Sequence, residues 1–223
     1  MRLNKLMAIA ALTWLGIFSP PVEGATEASS ASGNSSAASP LDRFSAEQRQ
    51  KLLAGEPVYQ LVETKAPDGT TSGHGESYII INAPVEQCWK IFTEFDKMQE
   101  YIPRKTKSVV VSRSGNHAVV DKEFDFYLVT IKYTMLYTID PEAHRLDFKM
   151  DQSRPHDLKD TEGYYQFVKL DDKQTLFIYA ATKVDTGLKA PAFIQDYLSS
   201  RDLPAVAGNV KKRIESGGTW TKE

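Results

Sequence analysis

From Lys107 to Val184 apolar residues recur at every second position, and this long stretch constrains the fold more than any other feature of the chain. Side chains on a β-strand alternate between the two faces of a sheet, so the period calls for strands with one buried face. Turn residues divide the stretch: Ser114-Gly115-Asn116, Asp140-Pro141, Ser153-Arg154-Pro155 and Asp171-Asp172-Lys173. Between them strands are expected at about 107–112, 118–127, 130–140, 145–151, 161–170 and 175–184. Consecutive antiparallel strands joined by short turns make a meander. On 130–140, Ile131, Tyr133, Met135, Tyr137 and Ile139 share one face, and on 145–151 Leu146, Phe148 and Met150 do. Such a face has to be covered.

The cover is sought at the C-terminus, where a long helix is expected from Pro191 to Glu215. Phe193, Ile194, Tyr197, Leu198, Leu203, Val206, Val210 and Ile214 form its apolar stripe. Pro204 interrupts it and predicts a kink. Lys211, Lys212 and Arg213 fall in the last turn, where cations complement the helix dipole. Ahead of the meander, Ser45-Ala46-Glu47-Gln48 is a capping box that opens a helix through Leu53. Strands follow at 58–64 and 77–82. Asn82-Ala83-Pro84 then starts a helix that places Val85, Cys88, Trp89, Phe92 and Phe95 on one face. A shorter helix, about 97–101, ends before Pro103.

Residues 1–24 read as a secretory signal peptide. Arg2 and Lys5 precede an apolar run from Leu6 to Phe18, and Val22 and Gly24 fit a cut before Ala25. Residues 25–40 are rich in Ser, Ala, Gly and Asn and read as a disordered linker. Residues 41–223 form the folded domain. The expected location is therefore periplasmic or secreted. Cys88 is the sole cysteine, so no intramolecular disulfide can form. A net charge of −2 lacks the basic field of a nucleic-acid binder.

The aromatic and Met-rich inner face suits either a packed core or a cavity for a mostly apolar ligand with a few polar handles. Lys122 breaks the pattern, because it shares a strand face with Ala118, Val120, Phe124 and Phe126. A lysine among apolar neighbours is costly unless paired. It either snorkels to the rim, meets a ligand carboxylate or phosphate, or pairs with Glu162. Strand parity near Glu162, Tyr164 and Tyr165 is ambiguous, since Gly163 can hold a bulge. His74, His117, His144 and His156 stand beside turn residues without metal-ligand spacing. Cys88 reads as a buried structural thiol, and no catalytic acid–base pair stands out.

The run Asn82-Ala83-Pro84-Val85-Glu86-Gln87-Cys88-Trp89, then Phe95-Asp96-Lys97-Met98-Gln99-Glu100-Tyr101-Ile102-Pro103, resembles the opening of the START/SRPBCC superfamily. The likeness is to its polyketide-cyclase and coenzyme-Q-binding-like lipid-transport branch. The strand from Tyr133-Thr134 to Asp140-Pro141 and the final helix with Leu203-Pro204-Ala205 look like that branch too. The resemblance covers about Val58 to Ile214. It implies an α+β, helix-grip (START-like) fold, with two short helices after the first strands. A curved antiparallel β-sheet would wrap around the long C-terminal α-helix, leaving an apolar cavity between them. The signal peptide, the linker and the first short helix lie outside that family core. The candidate ligand-binding residues are Lys122, Phe124, Phe126, Tyr133, Met135, Tyr137, Phe148, Phe193 and Tyr197. The expected function is exported binding or transport of a lipid or other apolar small molecule. The alternatives are a cyclase/aromatase-type enzyme using the same cavity and an envelope interaction module with no ligand. No cofactor or metal is called for. The expected partner is the apolar ligand, with transient membrane contact, no nucleic acid and a monomeric state.

Overall fold

A computed structural model describes residues 39–65, 71–126, 129–185, 201 and 203–223. The expected signal peptide and most of the linker, like Phe193 and Tyr197, lie outside the described residues. Among the described residues no helix is long and apolar enough to cross a membrane.

The chain runs through α1 (Ala46–Leu53), β1 (Val58–Lys65), β2 (Thr71–Ile81) and α2 (Val85–Phe92). A 3-10 turn (Phe95–Lys97) and α3 (Met98–Tyr101) follow, then β3 (Lys105–Ser114), β4 (His117–Asp125), β5 (Thr130–Asp140), β6 (Arg145–Met150), β7 (Asp160–Lys169), β8 (Thr175–Asp185) and α4 (Leu203–Glu215). All eight strands form one antiparallel sheet in the order β1-β2-β8-β7-β6-β5-β4-β3. The meander is as expected. The β1–β2 hairpin joins it through β8, so the link carrying α2 and α3 travels from one side of the sheet to the far edge.

Local chemistry explains the ends of these elements. Ser45 and Gln48 form both halves of the capping box on α1. Gly115 adopts a positive φ of 53° in the β3–β4 turn, which costs glycine no steric clash. The register shifts between Glu162 and Gly163, so the suspected bulge is present. A Cβ at Gly163 would sit 2.1 Å from the Ala180 carbonyl oxygen, and the close strand approach therefore requires glycine.

Several boundaries differ from expectation. β2 starts at Thr71, because pairing with β1 and β8 carries the polar half Thr71–Glu76 that no hydrophobic pattern marks. β3 starts at Lys105, two residues before the alternation becomes regular, because a bulge separates Lys105 from Lys107. In α2 the buried residues are Val85, Cys88, Ile91 and Phe92. Trp89, placed on the core face from spacing, is only half-buried and packs edge-on to His144 and Phe167. Ile91 takes its place. His74 lies within β2, not in a turn, and its Nε2 is 3.0 Å from Glu76 Oε1.

The sheet carries a core on each side. Inside, α2, α3 and α4 pack on residues such as Ile79, Ile81, Val120, Met135, Phe167 and Phe177. Outside, α1 and the segment before it cover Val58, Tyr78, Ile80, Leu176 and Ile178 with Phe44 and Leu52. The first helix is thus part of the packed domain and not an appendage to it. This also explains the unbroken apolar run Tyr78–Ile81, since a strand buried on both faces need not alternate.

α4 is held by more than its apolar stripe. Arg213 is buried, donates from Nη2 to Glu100 Oε2 at 2.7 Å and from Nη1 to the Trp220 carbonyl at 2.9 Å, and lies over the Tyr101 ring. Lys211 donates to the Ile80 carbonyl at 2.8 Å. The terminal cations therefore clamp α4 to β2 and α3. Pro204 stands in the first turn of the described helix, where its missing N–H breaks no helical bond. The expected kink falls at the border of the described residues.

Candidate functional site: two buried lysines in an apolar cavity

Between the inner face of the sheet and α4 lies a cavity of about 120 Å³. β4 and β5 supply Lys122, Phe124, Ile131, Tyr133 and Met135, and Phe126 follows β4. Phe148, Tyr165 and Tyr179 come from β6, β7 and β8, and Leu203 and Val206 close the cavity from α4. Phe124 and Tyr133 stack at 5.8 Å, and Tyr165 and Tyr179 at 4.7 Å, so the walls are largely aromatic rings. An open depression of about 650 Å³ lies on the opposite face, between His117, Leu136, Thr138, Lys149 and Glu162. It contains no buried charge, which makes the smaller cavity the better candidate site.

Lys122 is 3% exposed. It neither reaches the rim nor pairs with Glu162, which is exposed. Its Nζ donates to the Tyr137 hydroxyl and lies 4.8 Å from the centre of that ring. Beside it is a second lysine, Lys105, 2% exposed and also lining the cavity. Lys105 Nζ has the Met98 sulfur at 3.8 Å and the Phe124 ring at 5.2 Å. The two amines are near enough to interact directly. Neither forms an ion pair among the described residues. Burial lowers the Lys122 amine to about 7. Burial first, and then repulsion by Lys122, holds Lys105 well below the usual lysine range.

Of the residues singled out from sequence, Lys122, Phe124, Phe126, Tyr133, Met135 and Phe148 are brought together at the cavity. Tyr137 does not line it. Its ring stacks on Phe95 at 4.7 Å behind the wall, and it reaches the site through its hydroxyl contact with Lys122. Phe193 and Tyr197 lie outside the described residues. Lys105, Tyr165, Tyr179, Leu203 and Val206 were missed as lining. The signal for Lys105 was its place two residues after Pro103, hidden by the bulge that follows.

Other candidate chemistry is not assembled. Cys88 is fully buried, its sulfur 3.7 Å from the Ala83 carbonyl, and burial pushes the thiol up to about 11. That is a packed thiol and not a nucleophile. No group of His, Cys, Asp and Glu able to hold a metal occurs among the described residues.

A family model described as "Polyketide cyclase / dehydrase and lipid transport" matches residues 73–217. The chain belongs to this family. The roles by which the family is described are those of polyketide cyclases, dehydrases and lipid transport. No curated protein sequence matches the chain. Among solved structures, one from Thermus thermophilus is 14% identical with a TM-score of 0.56, covering 65% of this chain and 98% of its own. The Zhui aromatase/cyclase from a Streptomyces species is 16% identical with a TM-score of 0.51, covering 72% of this chain and 99% of its own. A STAR-related lipid transfer protein from Xanthomonas axonopodis is 8% identical with a TM-score of 0.54, covering 69% of this chain and 98% of its own. These likenesses establish the shared helix-grip fold, a curved antiparallel sheet with a C-terminal helix on its inner face.

Proposed function

We propose that the protein is an exported carrier that binds a lipid or other apolar small molecule between the sheet and α4, without chemical turnover. The observation that carries this reading is the apolar, ring-lined cavity, in a chain whose family is described by polyketide cyclase / dehydrase and lipid transport. A volume of about 120 Å³ is below the 300–1,000 Å³ of drug-sized pockets and near the 150 Å³ cavity that holds a benzene. The described enclosure is thus sized for one end of a larger ligand. Export rests on the n-region, apolar run and cleavage pattern of residues 1–24.

A cyclase-type reading is supported by one contact, Lys122 Nζ on the Tyr137 hydroxyl, with the amine near 7 where proton transfer at neutral pH is efficient. Native mass spectrometry of the protein purified from its exporting host tests the main reading. A co-purifying small molecule with a mature N-terminus at Ala25 is expected. A ligand-free protein that also takes up no apolar fluorescent probe would leave the interaction-module reading in its place.

A further inference from the structure

Lys105 and Lys122 approach each other from neighbouring strands, with Ser108↔Lys122 and Lys105↔Phe124 in the β3–β4 register. Both are almost wholly buried, and both line the cavity. A buried ammonium is normally matched by a carboxylate, because the desolvation cost is otherwise uncompensated. Around this pair none is found among the described residues. The titratable groups facing it are Tyr133 and Tyr137 on β5, Tyr165 on β7, Tyr179 on β8, Tyr101 on α3 and Lys222 beyond α4. Burial raises the phenols that are resolved, Tyr101, Tyr133, Tyr137 and Tyr165, so they remain neutral donors. Lys222 donates to the Ile102 and Lys105 carbonyls and brings a further cationic group near the pair, not a carboxylate. A core evolved only for packing would have apolar side chains at 105 and 122.

Resting on the carrier reading, we infer that the lysine pair is the receptor for the carboxylate of an amphiphilic ligand, one oxygen to each amine, with its apolar part against Phe124, Tyr133 and Phe148. The counter-charge that the described residues do not supply arrives with the ligand. A carboxylate has two oxygens for two amines, whereas a phosphate dianion presents three strong acceptor oxygens to the same pair and is left under-coordinated. The bound anion favours the charged amines, so binding takes up protons.

Isothermal titration calorimetry with octanoate and 1-octanol, in two buffers of different ionisation enthalpy at pH 7, tests this. Octanoate is expected to bind at least about tenfold tighter than 1-octanol, a difference of about 1.4 kcal/mol. It should take up about one proton or more, and the alcohol none. Lys105→Met and Lys122→Met should each abolish the preference for octanoate, so that within either variant acid and alcohol bind alike. Proton uptake by the wild-type protein reads the same claim should either variant fail to fold. If the alcohol binds as tightly as the acid, or the acid binds without proton uptake, the carboxylate receptor is overturned and the apolar carrier stands. Tighter binding of octyl phosphate overturns the choice of carboxylate. If neither octanoate nor 1-octanol binds, the carrier reading falls and this inference with it.

Discussion

On the outer face of the sheet a buried carboxylate is surrounded by partners; on the inner face two buried amines have no counter-charge among the described residues. Glu76, 4% exposed, accepts from the Tyr78 hydroxyl, from Tyr164 at 2.8 Å and from Arg43 at 3.5 Å, with His74 Nε2 at 3.0 Å. Burial pushes its carboxyl up, but the hydroxyl and imidazole bonds and the Arg43 charge prevail and lower it. Burial first, and then its bond to Glu76, pushes Tyr164 up to about 12. Lys105 and Lys122 are lowered by burial first, with repulsion from Lys122 added at Lys105, and no carboxylate among the described residues opposes it. The same sheet thus contains a charge satisfied by its neighbours and a pair with no carboxylate partner among the described residues.

The largest effect is expected from breaking the satisfied side. Glu76→Ala strands Tyr78, Tyr164 and Arg43 in or near the outer core, and a loss of about 3–5 kcal/mol is expected in denaturant unfolding. A loss below about 1 kcal/mol would show that the network is solvated and the contrast false. Lys105→Met should act in the opposite direction. It orphans no carboxylate, since Lys105 Nζ meets the Met98 sulfur, an aromatic face and the like-charged Lys122 amine. Replacing buried charge by an apolar group of similar shape is often stabilising, here by about 1–4 kcal/mol. A lower melting temperature for this variant would mean that the pair is compensated after all.

Acidity separates the two faces. Lys122 has a native value of about 7 against 10.5 when unfolded, so its penalty is complete below pH 7 and is relieved as pH rises toward 10.5. Wild-type stability should climb between pH 7 and pH 9, by up to about 1.4 kcal/mol per unit for each neutral lysine. Lys105→Met should flatten that slope. Glu76 has the reverse dependence: its contribution is present above 4.5 and is lost as pH falls through its lower native value. Arg43, about half exposed, is the smallest test, and Arg43→Ala should cost only about 0.2–1 kcal/mol.

These contrasts also mark what could be read from sequence. Period-two alternation located β5 to the residue and placed Lys122 among apolar neighbours, because regular strands convert parity directly into facing. Gly163 announced its bulge, since only glycine tolerates the Ala180 carbonyl so near. Lys105 was hidden for the same physical reason in reverse: a bulge before Lys107 breaks parity at the position where it was needed. The outer core and the Glu76 network stayed unseen, because they join Arg43, Tyr78 and Tyr164 from segments whose adjacency depends on the sheet order and not on local pattern. Trp89 was misplaced because α2 is two turns long, too short for spacing alone to tell its core edge from its flank.

That sheet order also bears on the time course of folding. The meander β3–β8 can assemble by successive short turns, each closing a small loop at little entropic cost. The β1–β2 hairpin cannot dock until Gly75 finds Ala181, across almost the whole of that meander. Contacts so distant in sequence slow folding and are expected to form late. The outer core under α1 depends on that docking, so in hydrogen exchange its amides should open as one unit with β1 and β2, ahead of the strands that carry the lysine pair.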